Sequence, residues 1–174
     1  AKPLLIIVVA IAIAAGAAFI LSRESIPTTD APGSSGASQA NLPPGGGQFK
    51  GPENAKVTLV EFGDYQCGSC GYYHPIVTEL LRRYPNDLRL EFHHFPLIQI
   101  HQYAMPAAMA AEAAGAQGKF WEMHNLIFEN QQTWANSRNP EPDFLSYATR
   151  VGLDINKFMQ DMRAPAIQQR VLAD

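Results

Sequence analysis

The sequence predicts an α/β fold, and three observations lead there. Two apolar, β-branched runs, Val57–Phe62 and Leu88–Phe95, read as strands, and the stretches between and after them carry apolar residues at helical spacing. The only two cysteines, Cys67 and Cys70, sit where the first strand gives way to the first helix. Strands wrapped by about five helices form an α/β pattern with a helical insertion. With 13 Lys and Arg against 16 Asp and Glu, the net charge is −3. That balance, and the lack of a phosphate-cradling Gly-x-Gly-x-x-Gly, exclude nucleic acid as an expected partner.

The first element is an unbroken apolar run from Leu4 to Leu21. As a helix it would rise about 27 Å, close to the roughly 30 Å of a bilayer core. A secretory signal peptide is the competing reading, with a cleavage site within Ala14–Ala18, but its apolar region is usually about 7 to 15 residues. Length favours a transmembrane anchor over residues 1–22. Lys2 before the span, against Arg23 beside Glu24 after it, leans towards an N-terminus inside the cytoplasm. Residues 23–47 are rich in Ser, Thr, Pro and Gly and too poor in apolar residues for a core, so they read as a linker. The globular domain is expected over residues 48–174.

The strand Val57–Phe62 reads as buried, and alternation puts Glu61 on the same face as Val57 and Leu59. Two accounts stand for that carboxyl: a strand-end acid reaching solvent, or a partly buried acid beneath the cysteine pair, its pKa raised by desolvation. Cys67-Gly68-Ser69-Cys70 follows. So short a loop braces the chain little, by roughly 2 kcal/mol, so the value of the pair would be redox, with half of a zinc site and two unreactive cysteines as the other readings. At a helix N-terminus the first thiol meets unpaired N–H groups and the positive end of the helix dipole, which favour thiolate, and the second can resolve a mixed disulfide.

The helix continues to Tyr84, with Pro75 expected to kink or restart it. After the strand Leu88–Phe95, halted by Pro96, come an Ala-rich helix at Ala104–Gln117 and a second at Lys119–Phe128, with Phe120, Trp121, Ile127 and Phe128 facing the core. Two more follow, at Asp143–Val151 with Gly152 as stop and Ile155–Arg163 with Asp154 as N-cap. His74, His93, His94 and His101 offer, with Cys67 and Cys70, an alternative Cys2His2 zinc site, although zinc pairs usually sit on turns rather than at a strand-to-helix junction. Of His93 and His94, one is expected to face the core and the other solvent. His74 is either a positive charge near the dithiol or a plain surface histidine. Met105, Met109, Met159 and Met162 read as core fillers rather than copper ligands, and Trp121 and Trp134 as packing residues.

The runs VTLVEFGDYQCGSCGYYHP and HQYAMPAAMAAEAAGAQGKFWEMHNLIFENQQTW resemble the DsbA-like branch of the thioredoxin superfamily, in particular its membrane-anchored extracytoplasmic thiol-disulfide oxidoreductases. The likeness covers about Gly51 to Val171. It implies a thioredoxin-like fold with a helical insertion, preceded by one transmembrane helix, with Cys67 attacking, Cys70 resolving and Glu61 as the buried acid six residues before the first cysteine. Gly68-Ser69 departs from the Pro-His of the strongly oxidising DsbA, which leaves the direction of electron flow open. Family members also carry a Thr-cisPro dipeptide, a β-hairpin and a last helix after the insertion, and nothing after Arg163 matches them. The fold therefore reads as lacking the C-terminal hairpin and the domain as C-terminally incomplete, a partial chain being favoured over a degenerate fold because a two-strand sheet is marginal without further strands.

The implied partners are extracytoplasmic protein thiols or disulfides and a membrane quinone-linked oxidase or a reductant partner. No metal or cofactor is expected beyond the cysteine pair. The resemblance places the globular domain in the periplasm or outside the cell, on a single-pass anchor. The alternative is a non-catalytic thioredoxin-like accessory subunit docked on a larger membrane complex.

Overall fold

The protein is described here by a computed structural model, in which residues 46–174 are described. The anchor expected at 1–22, and the linker except for its last two residues, lie outside the described residues. Among the described residues no helix is long and apolar enough to cross a membrane.

Three strands form one sheet in the order β1-β3-β2. β1 (Gln48–Lys50) runs antiparallel to β3 (Leu88–His94), pairing Gln48 with Phe92 and Lys50 with Leu90. β2 (Val57–Gly63) runs parallel to β3, in register from Val57 opposite Leu88 to Gly63 opposite His94. β1 corrects the two-strand expectation. Gln-Phe-Lys is too short to show a period of two, so only its pairing with β3 makes it a strand. β2 is also not the buried strand expected. It has β3 on one side only among the described residues, and Val57 and Phe62 remain 56% and 47% exposed.

α1 (Gly68–Arg83) returns the chain from β2 to β3, as a parallel pair requires. Pro75 lies inside it without restarting it. The ring costs the one bond its N–H would give Gly71 O, and the remaining turns carry the helix through.

The helical layer follows β3: α2 (Ala104–Gly115), α3 (Phe120–Glu129), α4 (Gln131–Trp134), α5 (Glu141–Arg150), α6 (Ile155–Asp161) and α7 (Pro165–Leu172). Gly118 and Gly152 sit at φ 74° and 77°, the left-handed conformation that ends helices and favours glycine. Asp154 caps α6 as expected, its side chain accepting Lys157 N–H at 3.0 Å. α7 begins with Pro165 at its first turn, where a missing N–H is harmless.

α2 is the centre of this layer. Alanines 104, 107, 108, 110, 111, 113 and 114 are all at most 2% exposed, the mark of a helix enclosed over most of its surface, with Met105 and Met109 only partly buried. Around it, Phe92, Met123, Ile127, Trp134, Phe144 and Phe158 are fully buried. Glu112 is the polar exception on α2. Its carboxylate takes hydrogen bonds from His94 Nε2 (3.0 Å), Gln48 Nε2 (2.9 Å) and Arg170 Nε, joining β3, β1 and α7.

His93 and His94 are both buried, which corrects the expectation that one would be solvated. Each finds a carboxylate inside: His94 on Glu112, and His93 Nε2 on Glu91 at 3.0 Å, with the His93 ring stacked on Phe62.

The free side of β2 presents unpaired N–H and C=O groups beside exposed apolar side chains, a template for strand pairing. Residues 46–174 expressed alone should therefore self-associate as concentration rises, which sedimentation velocity measures. Thr58→Lys, placing a charge on that edge, should shift the population back towards monomer. A wild-type fragment that stays monomeric at high concentration would show that the edge is silent.

Candidate active site

The site is built at the C-terminal ends of the two parallel strands. β2 ends at Gly63, where a Cβ would come within 2.3 Å of the Phe92 ring, so β3 crosses too close for a side chain. The loop Asp64-Tyr65-Gln66 then leads to Cys67. Asp64 is buried and organises that loop. One carboxylate oxygen accepts Gln66 N–H at 2.7 Å, and the other accepts Leu97 N–H at 2.9 Å and meets His101 Nδ1 at 2.7 Å. Its carbonyl accepts Cys67 N–H at 3.1 Å. Gln66 Oε1 accepts Tyr103 N–H at 2.7 Å. The loop after β3 is thus strapped to the loop that carries the dithiol.

Cys67 is the N-cap of α1, with extended backbone (φ −71°, ψ 121°) and no side-chain cap, so the first N–H groups of the helix have no side-chain partner from it. Cys70 lies one turn on. Both are partly buried and unbridged, and their side chains are within hydrogen-bonding reach of one another. Burial, reinforced by the charges of Cys67 and Glu61, pushes the Cys70 thiol up to about 11, although an Asp64 backbone hydrogen bond opposes the rise.

Glu61 shares a groove with that thiol. It lines, with Leu59, Phe62, Ser69, Cys70 and Tyr73, a groove of about 280 Å³ between β2 and α1. Burial alone raises its carboxyl above the usual range, so of the two accounts of Glu61 the structure has the partly buried acid beside the pair. Protonated Glu61 favours the fold. That contribution is complete below the ordinary value of 4.5 and is lost as pH rises through the raised value. Glu61→Gln should therefore raise the melting temperature near pH 8 by about 2 °C and leave it unchanged near pH 4. A fall at pH 8 would show that the carboxylate is stabilised rather than penalised in the fold.

His74 is buried one turn beyond Cys70. Burial first, then the Lys50 charge, lowers its pKa and so disfavours the positive charge of one sequence reading, while its burial corrects the other, a plain surface histidine. Its ring stacks on Phe128 and meets His124 edge-on. His124, driven still lower by burial, bonds the Tyr65 hydroxyl at 2.9 Å. His93, His94 and His101 are engaged with Glu91, Glu112 and Asp64 and do not converge on the cysteines.

Asp64 and Gln131 were not singled out from sequence. Gln131 Nε2 donates to Tyr65 O at 2.7 Å and to Cys67 O at 2.8 Å, from a helix over sixty residues away in the chain. Asp64, three residues before the first cysteine in a loop that must bury its own polar groups, carried the only readable signal of the two.

A parallel β2–β3 pair, a crossover helix capped by the first cysteine of Cys-x-x-Cys and a helical layer after β3 define a thioredoxin-like protein. The sequence model of the family described as thioredoxin matches residues 45–174, and the chain belongs to that family. Among solved structures it is similar to a thioredoxin-like oxidoreductase from Silicibacter pomeroyi. Identity is 30%, with a TM-score of 0.61, covering 75% of this chain and 70% of the other. Oxidised BdbD from Bacillus subtilis shares the fold at 22% identity and a TM-score of 0.63, over 74% and 71% of the two chains. Among curated proteins, a Na(+)/H(+) antiporter NhaA 1 from Salinispora arenicola is 45% identical over 113 residues, 65% of this chain and 16% of the antiporter. The chain thus spans about a sixth of the length of that relative.

Proposed function

We propose that the protein is a membrane-anchored thiol-disulfide oxidoreductase that exchanges disulfides with extracytoplasmic proteins through Cys67 and Cys70. The observation that carries this reading is the placement of Cys67 at the bare N-terminus of α1, with Cys70 one turn on and Glu61 lining the same groove as Cys70. The likeness to a thioredoxin-like oxidoreductase supports the class, and the apolar run at residues 4–21 supports the anchor.

In the oxidising direction a substrate thiolate attacks Cys67 Sγ. The Cys67–Cys70 bond breaks, and Cys70 leaves as a thiolate that takes a proton. A second substrate thiolate then attacks the mixed disulfide and frees Cys67, so two electrons pass from substrate to protein. In the reducing direction Cys67 attacks the substrate disulfide and Cys70 resolves it. With its thiol pushed up to about 11, Cys70 is held protonated at pH 7. A base must take its proton, and Glu61 is the group placed to do so. No cofactor takes part beyond the two cysteines. A membrane quinone-linked oxidase or a reductant partner would restore the starting state.

The match to a part of Na(+)/H(+) antiporters favours a second reading, a thioredoxin-like accessory domain of a larger membrane protein complex in which the dithiol turns nothing over. Reduction of insulin disulfides by the protein with dithiothreitol separates the two. Turnover above background, abolished by Cys67→Ser, supports the oxidoreductase, and a wild-type rate equal to that of Cys67→Ser leaves the accessory domain.

A further inference from the structure

The Cys67 carbonyl accepts two hydrogen bonds. One comes from Gly71 N–H at 3.1 Å, as in any first helical turn, and the other from Gln131 Nε2 at 2.8 Å. The same nitrogen reaches the Tyr65 carbonyl at 2.7 Å, so its two N–H groups bridge the main chain on either side of Gln66. Two carbonyls on one side fix which way the carboxamide faces, because its own oxygen cannot donate. Gln131 is 5% exposed. The fit leaves no slack: a Cβ at Gly71, the residue after the second cysteine, would stand 2.5 Å from Gln131 Oε1. Gln131 is itself anchored. It shares α4 with Trp134, which is fully buried, donates Nε1–H to Ile127 O at 2.7 Å and meets Phe144 edge-on.

We propose that Gln131 is a positioning residue for dithiol exchange, clamping Tyr65–Cys67 so that Cys67 Sγ is held at the N-terminus of α1. The proposal rests on the oxidoreductase reading. The clamp acts unequally on the two redox forms. In the disulfide, the bond to Cys70 holds Cys67 Sγ in place whether or not Gln131 is there. In the dithiol, only the main chain holds it near the unpaired N–H groups that favour a thiolate. Loss of the clamp therefore costs the dithiol more, and the equilibrium moves towards the disulfide.

The test equilibrates the full chain with glutathione, where protein dithiol plus oxidised glutathione gives protein disulfide plus two reduced glutathiones. Gln131→Met keeps length and burial and removes both donors. It should shift the constant about tenfold towards the protein disulfide, the worth of roughly one net hydrogen bond. Gly71→Ala leaves residue 131 untouched, suits a helix better than glycine and pushes the carboxamide aside, so it should shift the constant the same way. Phe158→Leu loosens the helical core away from α4 and leaves both Gln131 and its anchor Trp134 in place, and should remain within about twofold of wild type. Equal constants for wild type, Gln131→Met and Gly71→Ala would overturn the proposal. So would an equal shift in Phe158→Leu, which would make the effect general loosening. A wild-type chain that glutathione cannot oxidise at all would instead overturn the oxidoreductase reading.

Discussion

Cys70→Ser should turn exchange into a dead end. Cys67 still attacks a substrate disulfide, but with the resolving thiol gone the mixed disulfide persists, and substrate proteins should appear on non-reducing gels as adducts that dithiothreitol releases. Cys67→Ser should show no adducts and lose about a thousandfold or more of turnover, because the attacking atom itself is missing. The two thiols should also differ in the reduced wild type. Burial holds Cys70 at about 11, whereas Cys67 stands at the helix end. Iodoacetamide at pH 8 should therefore label Cys67 first, as peptide mass mapping would record. Faster labelling of Cys70, or adducts that form through Cys70 in Cys67→Ser, would reverse the assignment of roles.

The largest stability effect is expected at Glu112. Its carboxylate is buried in α2 and binds His94, Gln48 and Arg170 at once. Burial pulls its pKa up, but the His94 hydrogen bond and charge, the Gln48 hydrogen bond and the Arg170 charge outweigh it and leave it below the usual range. Glu112→Ala opens a hole and strands three polar partners, for about 3 kcal/mol, the low end for breaking a buried pair because Arg170 is partly exposed. Urea unfolding at pH 7 measures this. Glu112 stabilises the fold above the ordinary value of 4.5, and that contribution fades as pH falls through the lowered one. The gap between wild type and variant should accordingly narrow in acid. A loss under 1 kcal/mol at pH 7 would mean that the network stabilises little beyond the cost of burying its charges.

Much of this was legible because the sequence is locally consistent. The apolar runs of β2 and β3, the glycine stops at Gly118 and Gly152 and the Asp154 cap each act within a few residues, so pattern alone reveals them. The cysteine pair and Glu61 were legible because their spacing places them on adjoining elements. Long-range features were not. β1 exists only by pairing with β3 some forty residues on, and β2 is exposed only because no described strand lies beyond it. His93 and His94 looked divided by strand alternation, but carboxylates from β3 itself and from α2 allow both to be buried. Gln131 lies beyond the helix expected at Lys119–Phe128 and reads as one polar residue among several until the fold brings it to the Cys67 carbonyl.

The alanine helix at the heart of the insertion has an evolutionary consequence. Seven side chains that are already the smallest with a Cβ, and already without solvent, can neither grow nor shrink cheaply. One added methyl must displace α3 or α7, at roughly 1–3 kcal/mol for overpacking, and glycine gives up about 1 kcal/mol of helix propensity. Adaptation of this domain to a new partner is thereby pushed off α2 and onto surfaces with slack, such as the half-open edge of β2 and the exposed tips Ile98 and Ile100 of the loop after β3.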